Sequence, residues 1–337
     1  MAEKNRRKRL NLSGTEKLRE YLDYWDIGVP IFQSVLDNDD LFLPDAWIND
    51  LQRLLLFSGQ RGSLMTFTSP SGHCKSTVAR WIYQRLGVDS HEVLLLSLFQ
   101  DEANEGWLLP KVAKYFGIEQ GTPGALLQGV TERITETNKL GKVFTIIIDE
   151  AHKLRSPAAL TELHSLISLQ NLVPFGVNSV LLGDPFMMEV LDQTPELKNR
   201  VHVGIHFPSL TSKETARYIA KRLSQNNINP RMIAEGCVEE VHRLSGGVFS
   251  KLNAVLENCM IEAFLSKKKT IDFETVTKAA SFSLVEPAHQ KARTNSPGTP
   301  KTDRSGLPSQ KRGVSKHESN SKKSVELSSL FYKSDDK

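Results

Sequence analysis

Lys75 and Ser76 close a run of small and polar residues, Ser69-Pro70-Ser71-Gly72-His73-Cys74, and Thr77 follows them. An ammonium beside a hydroxyl, at the end of a turn-rich loop between a predicted strand and a predicted helix, suits a phosphate group. Backbone N–H groups in such a loop face the anion, and the helix N-terminus adds favourable partial charge. In that scheme all of Ser69 through Thr77 form the cradle, Lys75 neutralises the terminal phosphates, and the Ser76 hydroxyl ligates Mg²⁺. The signature G-x-x-x-x-G-K-[ST] is only partly kept. Ser69 and Cys74 replace its two glycines, and Gly72 stands where many such loops carry an extra one. Cys74 is the larger departure, because that position favours backbone conformations that glycine adopts at little cost. Taken alone, a polar turn ahead of an amphipathic helix explains the loop equally well.

A second motif changes the balance. Residues 143–148 are Val-Phe-Thr-Ile-Ile-Ile, a buried-strand pattern, and Asp149 and Glu150 follow directly. A carboxylate at the end of such a strand holds the Mg²⁺ shell, which assigns Asp149. The next one, Glu150, is placed to polarise an attacking water as a general base. Two acids at a strand end also occur as a solvated cap. The two motifs in this order, a domain's span apart, identify a P-loop nucleotide-binding fold with ATP and Mg²⁺ as cofactors. Residues 149–152 also spell DEAH. A helicase of that class needs two tandem RecA-like domains, for which the chain is too short.

Alternating elements must position these residues. Strands are expected at 64–68, 93–98, 143–149, 179–183 and 201–207. Helices are expected at 15–24, 46–57, 76–86, 107–116, 123–137 and 157–169. Strands alternating with helices imply an α/β fold, a parallel sheet with helices on both faces. After Pro208 the pattern becomes helical, with helices expected at 212–225, 230–244, 249–266 and 270–282. The expected organisation is a basic arm at 1–14, an α/β nucleotide-binding domain at 15–208, a small helical domain at 209–284 and a disordered basic tail at 285–337. The apolar patch at 327–332 reads as a docking motif or as a chance feature of the tail.

Bulk composition agrees. The chain has 337 residues, 39% hydrophobic and 24% charged, with a net charge of +4. That is ordinary for a globular protein. Cys74, Cys237 and Cys259 are the three cysteines, an odd set without the spacing of a disulfide framework or a zinc site. No apolar run approaches the ~18–20 residues needed to cross a bilayer. No apolar stretch follows the basic residues at 6–9, so they do not form a secretory signal. A cytoplasmic protein without a transmembrane segment is expected.

Further motifs fall in a definite order. They are Tyr21-Leu22-Asp23-Tyr24-Trp25 with Pro30 and Phe32, the phosphate loop, Asp149-Glu150-Ala151-His152, Leu181-Leu182-Gly183-Asp184-Pro185, Leu197 to Arg200, and Ser245-Gly246-Gly247-Val248. Over about residues 18–282 the chain resembles the AAA+ ATPases of the ExeA/GspA type, a group that also includes the TnsC and TniB transposition regulators. The resemblance implies that Asp184 occupies the sensor-1 region, where the family often has Gln. It implies that Arg200 is the arginine finger reaching a neighbouring subunit's nucleotide. Where the family carries a sensor-2 arginine this chain has Ser250, and Lys251 lies one residue later, about 100° around the helix. The resemblance also implies a homo-oligomer, ring or filament, and three roles stay open. One is an ATP-dependent regulator of transposition that binds double-stranded DNA and recruits a transposase through the C-terminal tail. Another is a cytoplasmic assembly ATPase of a secretion or envelope complex. The third is a nucleotide-binding scaffold that does not hydrolyse. The altered loop suggests slow turnover. Basic residues at 4–9 and Lys301, Lys311, Arg312, Lys322 and Lys323 suit DNA phosphates or simply solvated ends.

Overall fold

The computed structural model describes residues 14–32, 42–60, 62–99, 106–169, 173 and 176–282. The basic arm at 4–9, the tail from 285 onward and the patch at 327–332 lie outside the described residues. The described residues fall into two compact units. One comprises 42–209 with 248–250, and the other comprises 14–32, 210–247 and 251–282.

The first unit is an α/β sandwich. Its elements are α2 (Asp45–Ser58), β1 (Leu64–Thr68), α3 (Lys75–Arg85), β2 (His91–Ser97), α4 (Leu108–Tyr115), α5 (Pro123–Lys139), β3 (Val143–Asp149), α6 (Pro157–Ser168), β4 (Val177–Gly183), α7 (Phe186–Asp192), α8 (Pro195–Lys198) and β5 (Val201–His206). The helix α1 (Gly14–Trp25) precedes them in the chain and belongs to the other unit. The strands form one parallel sheet in the order β2-β3-β4-β1-β5. The three central strands are buried throughout, which is why they read as apolar runs and not as alternating patterns. β5 sits at an edge and alternates. Leu64, Phe144, Ile146, Ile148, Leu163, Ile167 and Leu181 fill the core. Each such side chain contributes about 1.5–3 kcal/mol when fully buried. The buried Asn178 amide is satisfied: Asn178 accepts from the Ser63 amide at 2.8 Å and donates to the Ser58 carbonyl. Trp47 stacks on Phe207 with centroids 4.0 Å apart, which seats α2 against the end of β5.

Register decides where the site lies. Thr68 pairs with Gly183 and with His206, Ser97 with Asp149, and Ile148 with Leu181. All five strands therefore end along one edge, and the residues singled out in the sequence at 69–77, 149–150 and 184 follow strand ends on that edge. The short helices α7 and α8 are absent from the sequence reading, because seven and four residues are too few to show a period.

The second unit is helical and contains α9 (Ser212–Gln225), α10 (Cys237–Ser245), α11 (Phe249–Leu265, its first two residues grouped with the α/β unit) and α12 (Phe273–Phe282). A capping box starts α9: the Thr211 hydroxyl accepts from the Glu214 amide, and Glu214 accepts from the Thr211 amide. The single helix expected over 230–244 is instead a 3₁₀ turn at Pro230–Met232, a bridge from Ile233 to Ile271, and α10. Gly236, at φ 78°, breaks the helical path. The helix α1, read in sequence with the α/β domain, makes its contacts in the helical unit. Tyr21 donates to Glu257 at 2.7 Å, and Trp25 donates to the Met260 carbonyl at 3.3 Å.

Gly246 and Gly247 both have positive φ, but their surroundings differ. A Cβ on Gly246 would meet nothing, whereas one on Gly247 would lie 2.1 Å from the Leu210 carbonyl oxygen. A left-handed conformation costs an L-residue ~1–2 kcal/mol. We expect G246A to lose about that much and G247A at least ~3 kcal/mol once the clash is added. Urea-unfolding midpoints of the two variants measure the difference, and equal losses would contradict the close approach to Leu210.

Candidate functional site

The loop after β1 is shaped by its backbone. The Ser69 amide donates to the Gly183 carbonyl at 3.2 Å, holding the start of the loop against the end of β4. Gly72 has φ 81°, and Cys74 takes φ 56° and ψ 26° as the residue before α3. The sequence anticipates a conformation favouring glycine at position 74, and a cysteine adopts it. No side chain caps the N-terminus of α3, so its first amides remain available to an outside acceptor. Burial pushes the Cys74 thiol up to about 11, so at neutral pH no thiolate opposes an incoming anion.

The charged groups of the loop are buried. Lys75 is 7% exposed, and its Nζ donates to the Ser69 and Pro70 carbonyls, both at 3.3 Å. His73 is also buried. Desolvation holds its imidazole below the ordinary range, the nearby Lys75 charge adding to the effect. The hydroxyl of Ser69 and Nε2 of His73 are buried without a partner among the described residues. An ammonium bonded to carbonyl oxygens, uncapped helix amides and unpaired polar atoms together fit a phosphate-bearing ligand.

The acidic motif meets this loop. Asp149 is 4% exposed and accepts the Glu150 amide at 2.9 Å. The Ser76 side chain lies near enough to act on its carboxyl. Burial raises the Asp149 carboxyl above the ordinary value, and Ser76 and the Glu150 amide oppose that shift. No group of three or more His, Cys, Asp or Glu suited to a metal occurs among the described residues. The Ser76–Asp149 pair fits Mg²⁺ all the same, since that ion takes one or two protein ligands and completes its shell with phosphate and water oxygens.

Glu150 departs from the strand path at φ 60°. Its Oε2 lies 3.3 Å from Lys153 Nζ and 3.6 Å from His152 Nε2. Asp184 follows β4; its Oδ1 accepts the Phe186 amide at 3.1 Å, and its Oδ2 lies 3.6 Å from His152 Nε2. His152 and Lys153 were not among the residues singled out as functional, although DEAH had marked the spot. Ser250 packs against the loop. Its amide donates to the Gly72 carbonyl at 3.0 Å, and a Cβ on Gly72 would fall 2.2 Å from its hydroxyl. Gly72 thus serves a close approach as well as a turn, and no local sequence signal reveals this.

Residues 69–77, Asp149, Glu150 and Asp184 therefore share the C-terminal edge of the sheet. Arg200 does not join them. It precedes Val201, which pairs with Leu64 at the start of β1, while the loop follows Thr68 at its end. At ~3.3 Å per residue, Arg200 lies on the order of 15 Å along the strands from its own loop. Lys251 is exposed and belongs to the helical unit.

Residues 58–191 match the family model described as an AAA domain. By sequence the chain is similar to General secretion pathway protein A of Aeromonas hydrophila, at 22% identity over 265 residues, covering 77% of this chain and 48% of that one. It spans about half the length of that relative. By structure it is similar to the ORC2 protein of Aeropyrum pernix in ADPNP-ADP complexes, with a TM-score of 0.60 at 16% identity, covering 79% of this chain and 74% of that chain. For Cdc6p of Pyrobaculum aerophilum the TM-score is 0.61 at 16% identity, with 78% and 73% covered. For the Drosophila ORC bound to DNA it is 0.57 at 12% identity, with 82% and 69% covered. The chain has the P-loop AAA+ fold: a parallel five-stranded sheet with flanking helices, followed by a helical region.

The strained position gives a direct test. Glycine at 74 accepts the left-handed conformation, whereas a β-branched residue resists it. We expect C74G to bind a fluorescent ATP analogue at least as tightly as the parent, and C74V to lose stability by ~1–2 kcal/mol and to bind more weakly. Weaker binding by C74G than by C74V would reverse the assignment.

Proposed function

We propose that this chain is an ATP-hydrolysing AAA+ protein acting as an oligomeric, ATP-dependent regulator of DNA transposition. The observation that carries the enzymatic part is that Ser76 and the buried Lys75 both lie near enough to the Asp149 carboxyl to oppose its upward shift. It joins the two nucleotide motifs at one point. Lys75 and the loop 69–77 hold the phosphates, and Ser76 and Asp149 hold Mg²⁺. When bound there, Mg²⁺ would supply charge compensation to the phosphates. Glu150 accepts a proton from the attacking water, and Asp184 faces the terminal phosphate. Arg200, remote from its own loop, completes the site of a neighbouring subunit. Such an arrangement makes turnover depend on assembly.

The regulatory role is supported by the order of motifs that resembles the TnsC and TniB group and by the basic residues at 4–9 and 301–323. The DNA-bound state of the Drosophila ORC neighbour is in keeping with it. Similarity to General secretion pathway protein A favours a second reading, an ATPase that assembles a secretion or envelope complex. Among the described residues no helix is long and apolar enough to cross a membrane.

Electron microscopy with ATP, with and without double-stranded DNA, separates the roles. A ring or filament on DNA supports the transposition reading. ATP turnover indifferent to DNA supports the secretion reading, and ATP binding without turnover leaves a scaffold.

Three substitutions test the site. K75A is expected to weaken ATP binding at least ~100-fold in a titration, about 2.7 kcal/mol; unchanged affinity would remove the loop assignment. E150Q is expected to keep ATP affinity and lose ~10²-fold or more in turnover. R200A should bind ATP normally yet turn over slowly, and an equal amount of E150Q protein should rescue it in mixed oligomers by supplying the arginine. Absence of that rescue would count against action between subunits.

A further inference from the structure

The turn after β3 carries a side chain with an unusual pair of neighbours. Nε2 of His152 lies 3.6 Å from Glu150 Oε2 and 3.6 Å from Asp184 Oδ2. Its other nitrogen, Nδ1, is buried with no partner among the described residues. A proton on Nδ1 would be a buried donor without an acceptor, so the single proton of the neutral ring belongs on Nε2, between the two carboxylates. Both gaps exceed a direct hydrogen bond by ~0.5 Å. One N–H with two acceptors at equal range can close on either but not on both.

The surroundings keep this choice local. The 3₁₀ turn Ala151–Lys153 sits tightly on β4, where a Cβ on Gly183 would come within 3.1 Å of the His152 amide nitrogen. Lys153 Nζ is bonded to the Leu98 carbonyl at 2.9 Å while lying 3.3 Å from Glu150 Oε2. Glu150 thus has an anchored cation on one side and, on the other, a ring it shares with Asp184.

We propose that His152 is a positioning residue that couples Asp184 to Glu150. This rests on the roles given above to those two carboxylates. With its N–H on Glu150, the ring holds that carboxylate in place for the water it must deprotonate. With its N–H on Asp184, Glu150 loses that hold. A contact that engages Asp184 elsewhere sends the N–H back to Glu150, so the state of the sensor position governs how firmly the base is held.

The test uses the full-length protein and measures both ATP affinity and steady-state turnover for the parent, H152Q, H152L, D184N and H152L/D184N. Glutamine offers two N–H donors at similar reach, whereas leucine offers none. H152L is expected to lower kcat about tenfold with ATP Kd within about twofold. H152Q should stay within about threefold of the parent. The double variant should be no slower than the slower single variant, because the two residues act through one contact. If H152L loses ATP binding, H152A takes its place. Parental turnover by H152L, turnover by H152Q as slow as by H152L, or losses that multiply in the double variant would each overturn the coupling. A parent that binds ATP without hydrolysing it would also overturn the coupling while leaving the phosphate loop standing. A parent that does not bind ATP would refute the loop reading itself.

Discussion

A carboxylate buried at the end of a strand must be compensated, and Asp149 is compensated by the Ser76 hydroxyl, the Glu150 amide and the charge of Lys75. Much of the α/β unit can be understood from that requirement. To bring Ser76 to Asp149, the loop after β1 must turn back at once into α3, and β3 must end level with its neighbours. To leave Lys75 with carbonyl partners, the loop must fold over its side chain. The same arrangement leaves donors in excess of acceptors, which is the electrostatic condition for holding a polyphosphate.

Backbone conformation follows from this constraint. Gly72, Cys74 and Glu150 all have positive φ, and all three lie at the points where the chain leaves a strand end or enters α3. Two of them are not glycine. Such conformations cost of order 1–3 kcal/mol each and persist where the surroundings determine them strongly. At Cys74 the constraint is the start of a helix. At Glu150 it is a tight turn that sends the side chain toward Lys153 and His152 while Asp149 stays buried. Strain thus separates two consecutive carboxylates into different environments, one desolvated and one partly open to water.

The opposite end of the sheet carries the other half of the proposed chemistry. Parallel strands have distinct edges, and a residue entering β5 cannot serve a loop leaving β1 within one chain. Arg200 is therefore either a surface group or a group for another copy, and the fold itself poses that choice. Ser250 is of a different kind. It makes a backbone bond to Gly72 and a close packing contact, so the position has a packing role at the loop.

Residue patterns are enough to read the α/β class and the parallel sheet, and to set residues 69–77 and 149–150 after strand ends, because each leaves a local trace. Buried strands are apolar runs, glycines and prolines mark turns, and a lysine and a hydroxyl before a helix mark an anion site. What had no local trace came only with tertiary structure. The placement of α1 among helices more than 200 residues away depends on contacts such as Tyr21 with Glu257. The break at Gly236 depends on a bridge between Ile233 and Ile271. The meeting of His152 with both Glu150 and Asp184 depends on how β3 and β4 pair. Sequence determined which groups could do chemistry, since that is a property of side chains. Strand register and turn geometry decided which of them meet, since distance is set by pairings between segments far apart in the chain.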